Sequence, residues 1–351
     1  MRYRQWAILL TLLLLFWDGL YTGILALSDT EEASILQQLQ QRQTAIPYQG
    51  TIVSITFSSP VARSSTFQVY ALRENVERWE RLLPSGDPQG VVLLDGVNRW
   101  EYIPTHHLII KSPLSPRQRN PFKNLQTIRQ NYRVEKIGET ELANRQVLLL
   151  KFTPRMADRP QRLIWVDQEY HFPLRVEVYG VNGELFQLMT FTRITLYPNF
   201  PQETFTLQAP QNTTVLATEK RNQLTWNDLQ QFLSFTPLFP HYLPPGFVLE
   251  DIKGEQTPQS EAIQLLYTDG LSYLSIFQEK APSPPSTLTA LTSSLRDRVQ
   301  EREQENLIEY SGLLRMISGQ KGGVVYAIVG EVIQEELFKI AQSLRPSPHQ
   351  E

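Results

Sequence analysis

Residues 164–191, IWVDQEYHFPLRVEVYGVNGELFQLMTF, contain two runs of alternating side chains joined by the segment GVNG. A period of two residues predicts β-strands, and the Asn-Gly pair predicts a tight hairpin turn because both residues tolerate positive φ. Apolar side chains occur at both odd-numbered and even-numbered positions of each run. Val178 and Tyr179, for example, fall on opposite faces of the predicted sheet. A sheet with one solvated face alternates cleanly between apolar and polar residues. This stretch therefore predicts a sheet covered on both faces, or covered on one face and lined by a cavity on the other.

Similar strand signals extend through residues 48–198. The run YQGTIVSITFSS is rich in β-branched and aromatic residues, and VVLLDGVNRWEYIP has Asp-Gly between two alternating runs. That pair favours a two-residue hairpin with positive φ at both positions. We expect eight to ten strands, mostly in sequential hairpins, and hence an antiparallel sheet. The spacing of Ala33, Leu36 and Leu39 predicts a helix over residues 31–43, whereas VERWERLL is compatible with a strand or a helix.

A second unit follows a polar segment without clear periodicity. Residues 210–235 are interpreted as a linker, and residues 236–346 as a small α+β domain. This domain has a predicted hairpin around Asp269-Gly270, a strand GGVVYAIVGEV and a closing helix IQEELFKIAQSL. Its charged stretch RDRVQEREQE is either a solvated helix face or a surface that docks a partner protein. Residues 347–351 are expected to be a disordered tail.

The N-terminus predicts export. The segment MRYRQWAILLTLLLLFW has two arginines followed by about a dozen apolar residues, which is typical of a secretory signal. Residues 1–28 are therefore predicted to be a signal peptide, or an uncleaved anchor if they remain attached. The sequence contains no cysteine, so disulfides, thiol chemistry and an N-terminal lipid are excluded. A net charge of −3 gives no basic footprint for nucleic acid.

No motif predicts an enzyme, a metal or a cofactor. The phosphate-binding, dinucleotide-binding, nucleophile-elbow and zinc-protease motifs do not occur in the sequence. His106 and His107 are adjacent, so a regular strand would point them to opposite faces. Asp167, Glu169 and Glu177 are close in sequence, but acid/base chemistry requires two carboxylates that converge in a cleft. Turn and surface roles are therefore the expected ones, and the protein is not expected to be an enzyme.

The apolar and aromatic side chains of the first domain suggest a pocket instead. One interpretation is an ordinary core packed by one or two helices; the other is an apolar cavity that holds acyl chains. Under the second interpretation the substitution Val178→Arg should abolish lipid binding and leave the protein folded. The predicted lining residues are Trp79, Trp100, Tyr102, Phe152, Trp165, Val176, Val178, Phe186 and Leu188.

Several segments carry a family resemblance. YQGTIVSITF, LLDGVNRWEYIP and LIWVDQEYHFPLRVEVYGVNGELFQLMTFTRI resemble the lipoprotein-carrier superfamily that includes LolA and LolB. The second unit, with LPPGF at residues 243–247, the hairpin at 267–277 and the final strand and helix, is similar to the RseB/MucB family of sigma-E regulatory proteins. The resemblance implies an α+β protein. Residues 29–209 would form a curved antiparallel half-barrel capped by helices, followed by the smaller α+β domain.

The same resemblance implies a function. A protein of this kind is exported to the periplasm or the extracytoplasmic face of the membrane, and binds the extracytoplasmic part of an anti-sigma factor. It shields that partner from proteolysis and releases it when a lipid or lipoprotein acyl chain occupies the cavity. A lipid or lipoprotein carrier of the cell envelope is the alternative. An exported enzyme or a structural envelope module is the third possibility.

Overall fold

Two large β-sheets, each with its own helices, make up the part of the chain that the structure describes. The structure is a computed structural model. It describes residues 25–26, 29–42, 46–58, 61–73, 75–114, 122, 124–208, 210–217, 222–225, 228–256, 261–281, 306–310 and 313–346. Within these ranges no helix is both long and apolar enough to cross a membrane.

The first sheet has thirteen strands in the order β1-β8-β9-β10-β11-β12-β2-β3-β4-β5-β6-β7-β13. Its neighbours are antiparallel except for β13, which pairs with β7 in parallel. Because β1 and β13 lie at opposite ends of this order, the curved sheet stays open. The strands are β1 (Leu25–Ala26), β2 (Tyr48–Ser58), β3 (Val61–Arg73), β4 (Val76–Leu82), β5 (Pro88–Asp95), β6 (Asn98–Ile103), β7 (Leu108–Pro113), β8 (Tyr132–Leu142), β9 (Arg145–Pro154), β10 (Gln161–Asp167), β11 (Pro173–Tyr179), β12 (Leu185–Leu196) and β13 (Thr214–Ala217).

Two helices pack on this sheet. Helix α1 (Asp29–Arg42) agrees with the predicted helix, and its Leu36 and Leu39 are fully buried. Helix α2 (Leu125–Asn131) begins at Asn124, whose side chain accepts a hydrogen bond from the Thr127 backbone N–H, and it runs directly into β8. Two 3₁₀ turns, η1 (Pro104–His106) and η2 (Gln202–Phe205), also occur among the described residues of the first domain.

The second sheet has seven strands in the order β14-β16-β17-β18-β21-β20-β19. Helix α4 (Gln334–Ser343) and the single turn α3 (Leu229–Phe232) contribute to the core on one face of it. A two-stranded sheet joins β15 to β22. The strands are β14 (Asn222–Gln223), β15 (Phe239–Pro240), β16 (Val248–Gln256), β17 (Glu261–Thr268), β18 (Tyr273–Lys280), β19 (Asn306–Tyr310), β20 (Leu314–Lys321), β21 (Val324–Gly330) and β22 (Leu344–Arg345).

Several details differ from the sequence predictions. Eleven strands, β2–β12, fall within residues 48–198 instead of eight to ten, because VERWERLL forms strand β4 and Ala143-Asn144 makes an additional hairpin turn with positive φ. In the Asp95-Gly96 hairpin only the glycine has positive φ. Asp95 instead precedes the turn, and its carboxylate accepts the backbone N–H groups of Val97 and Asn98.

The predicted linker, residues 210–235, contains regular structure. Strand β13 belongs to the first sheet, whereas β14 and α3 belong to the second domain. Its strands were not predicted because backbone pairing at a sheet edge requires no side-chain periodicity. Three predicted segments lie outside the described residues. They are the signal or anchor, of which only β1 is described, the charged stretch RDRVQEREQE, and the tail at residues 347–351.

Candidate functional site

The face of the first sheet beneath α1 and α2 is tightly filled. We call it the helix-covered face; it carries Leu150 and Phe152 of β9 and Ile164 and Val166 of β10. These side chains form one core cluster with Leu36, Leu39 and Ile128 of the helices. Most members of the cluster are completely shielded from solvent. In the described structure this face therefore has no free space for an acyl chain beneath the helices.

A cavity of about 550 Å³ opens between the two helices instead, and we call it the α1–α2 cavity. Arg129 of α2 and Glu32 of α1 face each other across it, with 3.8 Å between Nε and Oε1. Arg155, which follows β9, adds a second guanidinium at the surface. The lining residues are Glu32, Ala33, Leu36, Gln37, Leu125, Gln126, Arg129, Gln130 and Arg155. This mixture suits an amphiphile with a polar or anionic head better than a purely apolar ligand.

Strand register separates the nine predicted pocket residues. Four of them share the helix-covered face, four point to the opposite, outer face, and one lies at a bulge. They do not all line one pocket, because neighbours along a strand alternate between faces. Of the nine, Trp79 and Tyr102 border a common cleft. On the helix-covered face are Trp79, Phe152, Val176 and Val178; on the outer face are Trp100, Tyr102, Trp165 and Leu188; Phe186 lies at the bulge, with its ring against Gly180.

Cationic side chains explain the aromatic residues on the outer face. The Arg175 guanidinium lies 4.8 Å from the ring centre of Trp165, and Lys111 Nζ lies 4.6 Å from that of Trp100. The stems of such cations shield apolar surface while their charges stay in water. Arg175 and Lys111 therefore cover part of these two rings, and Trp165 also packs against the core cluster that contains Tyr48 and Phe172.

Trp79 lies beside a second, smaller cleft of about 370 Å³. This cleft is lined by Phe67, Trp79, Val92 and Glu101 on the helix-covered side of β3–β6, and by the neighbouring Tyr102. The Trp79 indole N–H donates to the Glu77 carboxylate at 2.9 Å. Burial raises the pKa of Glu77 above its usual range, and the hydrogen bond from Trp79 only partly opposes this shift.

The three candidate carboxylates are occupied by local partners. Asp167 and Glu169 both pair with Arg145, and Asp167 also accepts backbone N–H groups in the turn that follows β10. Glu177 pairs with Arg175 and accepts the Tyr179 hydroxyl at 2.5 Å. No group of metal-ligating side chains occurs among the described residues, and His106 and His107 are exposed. These carboxylates organise turns and strands, and do not converge in a cleft.

The most elaborate polar site joins the two domains, and sequence reasoning did not identify it. Its centre is Asp269 in the turn between β17 and β18, residues 269–272, which we call the interdomain turn. Asp269 is fully buried, and its Oδ2 accepts the Tyr132 hydroxyl at 2.8 Å and Arg159 Nη1 at 2.9 Å. Its Oδ1 accepts the backbone N–H groups of Leu271 and Ser272. One carboxylate thus orders its own turn and binds the first domain.

Two arginines of the first domain extend this network. Arg159, only 2% exposed, forms a bidentate pair with Asp158, donates to the Pro245 carbonyl and lies over the Phe247 ring. Arg162 pairs with Glu331 of the second domain at 2.5 Å. Burial lowers the pKa of each guanidinium, but the facing carboxylates outweigh it, so both pKa values are raised. Both arginines therefore stay charged, and losing one carboxylate would leave a buried charge unpaired.

The interdomain turn also fits closely against helix α2 of the first domain. Gly270 has φ +105°, and a Cβ there would lie 2.7 Å from Ile128 Cγ1 and 2.9 Å from the Ile128 backbone nitrogen. Leu271 is buried among the core residues of the first domain. Asn131, at the end of α2, donates to the carbonyls of Gly246 and Asp269. The interdomain turn is thus inserted against α2, the helix that also forms one wall of the α1–α2 cavity.

The Asp269-Gly270 hairpin was predicted from sequence, but its role was not. Its first-domain partners, Tyr132 and Arg159, lie more than 100 residues earlier in the chain. The segment ADRPQR, which supplies both arginines, has no motif or periodicity that distinguishes it from a surface loop. Only the folded arrangement of the two domains brings these groups together.

Comparisons with known proteins agree with this architecture. MucB of Pseudomonas aeruginosa, a regulatory protein of sigma factor AlgU, is 24% identical over 344 residues, which cover 95% of this chain and 96% of MucB. An uncharacterised protein of Methanocaldococcus jannaschii is 22% identical over 264 residues, 72% of this chain and 76% of that protein.

Solved structures share the fold. A structure of MucB in complex with MucA(peri) matches with a TM-score of 0.60 at 19% identity. A MucA/MucB complex structure from Pseudomonas aeruginosa matches with a TM-score of 0.62 at 20% identity. Each alignment covers 90% of this chain and 99% of the solved chain. The family described as MucB/RseB N-terminal domain matches residues 31–209, slightly more than half of the sequence. The chain therefore belongs to the MucB/RseB family.

Proposed function

We propose that this protein is an extracytoplasmic regulator that binds the extracytoplasmic part of a membrane anti-sigma factor and controls its proteolysis. The observation that carries the proposal is the two-domain architecture, which aligns with nearly the full length of MucB in structures where MucB is bound to MucA.

The second part of the proposal is lipid sensing. The α1–α2 cavity supports it, because its lining combines the guanidinium groups of Arg129 and Arg155 with the apolar side chains of Ala33 and Leu125. An anionic head would pair with the guanidinium groups, and each buried methylene of its chain would contribute about 0.8 kcal/mol. None of the nine pocket residues predicted from the sequence lines this cavity.

Binding of the purified chain to the extracytoplasmic segment of each anti-sigma factor of its host, measured by titration calorimetry, tests the first part. We expect one segment to bind with a stoichiometry of one to one and to become resistant to protease in the complex. If no segment binds, the regulatory function is wrong.

Native mass spectrometry of detergent-free protein, followed by lipid extraction, tests the second part.

A further inference from the structure

Helix α2 takes part in two sites at once. Leu125, Gln126, Arg129 and Gln130 line the α1–α2 cavity, whereas Asn131 at its C-terminal end binds the second domain. The backbone of Ile128 is the surface against which Gly270 packs. The helix has only seven residues, too few for an isolated helix to be stable, so its position depends on tertiary contacts. These are the contacts with the second domain and the packing of Ile128 in the first core.

An acyl chain has no free volume beneath the helices. Leu36, Leu39, Ile128, Leu150 and Phe152 are all fully shielded from solvent in one cluster. The α1–α2 cavity holds the head of an amphiphile, but its chain reaches the apolar interior only if a helix moves away from the sheet. Protein cores are packed too densely to admit a chain otherwise.

From this geometry we infer that occupancy of the α1–α2 cavity and closure of the interdomain contact exclude each other, with α2 as the element that couples them. The inference rests on the lipid-sensing part of the proposed function and specifies how it is regulated. When a single-chain anionic amphiphile binds, α2 moves away from the sheet. Asn131 then withdraws from Gly246 and Asp269, and the backbone of Ile128 withdraws from Gly270.

The coupling between ligand binding and the domain contact can be tested because it must act in both directions. If ligand binding opens the domain contact, then weakening that contact must tighten ligand binding by raising the fraction of protein in the competent state. Two substitutions weaken the contact without touching the cavity lining. Asn131→Ala removes two hydrogen bonds to the second domain, and Glu331→Gln removes the ion pair with Arg162. Asn199→Ala, at an exposed position, is the matched control.

The probe is n-dodecyl phosphate below its critical micelle concentration, titrated into the full-length chain and followed by calorimetry. We expect Asn131→Ala to lower the Kd about fivefold or more, because it removes two hydrogen bonds that hold the domain contact closed. Glu331→Gln should change the Kd in the same direction, and Asn199→Ala should leave it unchanged. If Asn131→Ala does not fold, Glu331→Gln alone decides the result.

A distance measurement gives an independent readout. The sequence contains no cysteine, so Thr140→Cys in the first domain and Gln342→Cys in the second introduce the only two sites for spin labels. Both positions are exposed. The distance distribution should be narrow in the free protein, and it should shift or broaden with dodecyl phosphate or with Asn131→Ala.

The outcomes separate this inference from the proposed function. Equal or weaker affinity in both variants, with a wild-type protein that binds the probe, overturns the coupling and leaves lipid sensing intact. A wild-type protein that does not bind the probe overturns the coupling and lipid sensing together. Neither result affects binding of the anti-sigma factor, which is measured separately.

Discussion

Gly270 occupies a backbone position where a side chain has neither the right φ nor the required space. Gly183 provides a matched control, because it has φ +79° in another hairpin turn but no atom within 4 Å of the point that a Cβ would occupy. We expect Gly183→Ala to cost about 1–2 kcal/mol of unfolding free energy from backbone strain alone. Gly270→Ala should cost about 1–3 kcal/mol more, because the methyl group overlaps Ile128. Denaturant midpoints of the two variants check this difference, and equal losses would contradict the steric account.

Glu77 predicts a pH dependence. Burial raises its folded-state pKa above the ordinary value of 4.5, so the folded protein binds this proton more tightly than the unfolded chain. Its contribution to stability is therefore complete below pH 4.5 and is lost as the pH rises through the folded-state pKa. Glu77→Gln should raise the melting temperature at pH 7, and the gain should disappear towards pH 4. Glu141→Gln, at an exposed position, should show no such trend; a gain that persists at pH 4 would argue against desolvation.

Single residues were predictable from sequence where their chemistry is local. Asn182-Gly183 and Asp269-Gly270 both form turns, because positive φ is a property of the residue itself. Arg159 and Arg162 were not predictable, because burial of an arginine depends on carboxylates brought from distant parts of the chain. The Trp165 and Trp100 side chains were assigned to a pocket for the same reason: the cations that cover them were not visible in a one-dimensional pattern.

At the scale of elements, strand register changes the expected effect of Val178→Arg. Val178 is buried and lies directly opposite Arg162 on β10, so a second guanidinium would be placed beside the first. The substitution should therefore destabilise the protein by about 3 kcal/mol or more instead of leaving it folded. Val97→Arg, at a position 71% exposed, should change the stability by less than about 0.5 kcal/mol. Thermal melts compare the two, and a stable Val178→Arg protein would contradict this register.

Long alternating strands and the first helix were predicted because their patterns repeat over many residues. Helix α1 and strands β2, β11 and β12 occur where periodicity placed them. Strands β13 and β14 were missed because they are held by backbone ladders at sheet edges, with four exposed residues in β13 and two residues in β14. All four residues of β13 are exposed, so this strand leaves no hydrophobic period in the sequence.

At the scale of the whole molecule, the position of the domain boundary determines which C-terminal fragment can fold without the first domain. Leu229 and Leu233 precede the predicted boundary at residue 236 but are buried in the second core. A fragment of residues 222–346 should therefore melt cooperatively at a higher temperature than a fragment of residues 236–346. Loss of the two leucines should cost about 3 kcal/mol or more, since burial of each contributes about 1.5–3 kcal/mol. Equal melting temperatures would place the boundary where the sequence suggested.

The architecture of each domain could be predicted from the sequence, whereas the contact between the two domains could not. Family resemblance and periodicity identified an antiparallel sheet with helices and a smaller α+β unit, and the family assignment is confirmed. The α1–α2 cavity was not predicted, and strand register divides the predicted aromatic residues between two faces of the sheet. The interdomain turn depends on three-dimensional fit between Gly270 and Ile128, which a hydrophobic pattern does not encode.

The fit at α2 also has an evolutionary consequence. A Cβ at residue 246 would lie 2.0 Å from the Asn131 amide oxygen, just as one at residue 270 would overlap Ile128. Gly270 and the Ile128 backbone therefore fit each other closely, although they belong to different domains. Recombination that joins this first domain to a second domain with a larger residue in place of Gly270 should give a chimera in which that residue overlaps the Ile128 backbone. The two halves of the gene are thus expected to be inherited together.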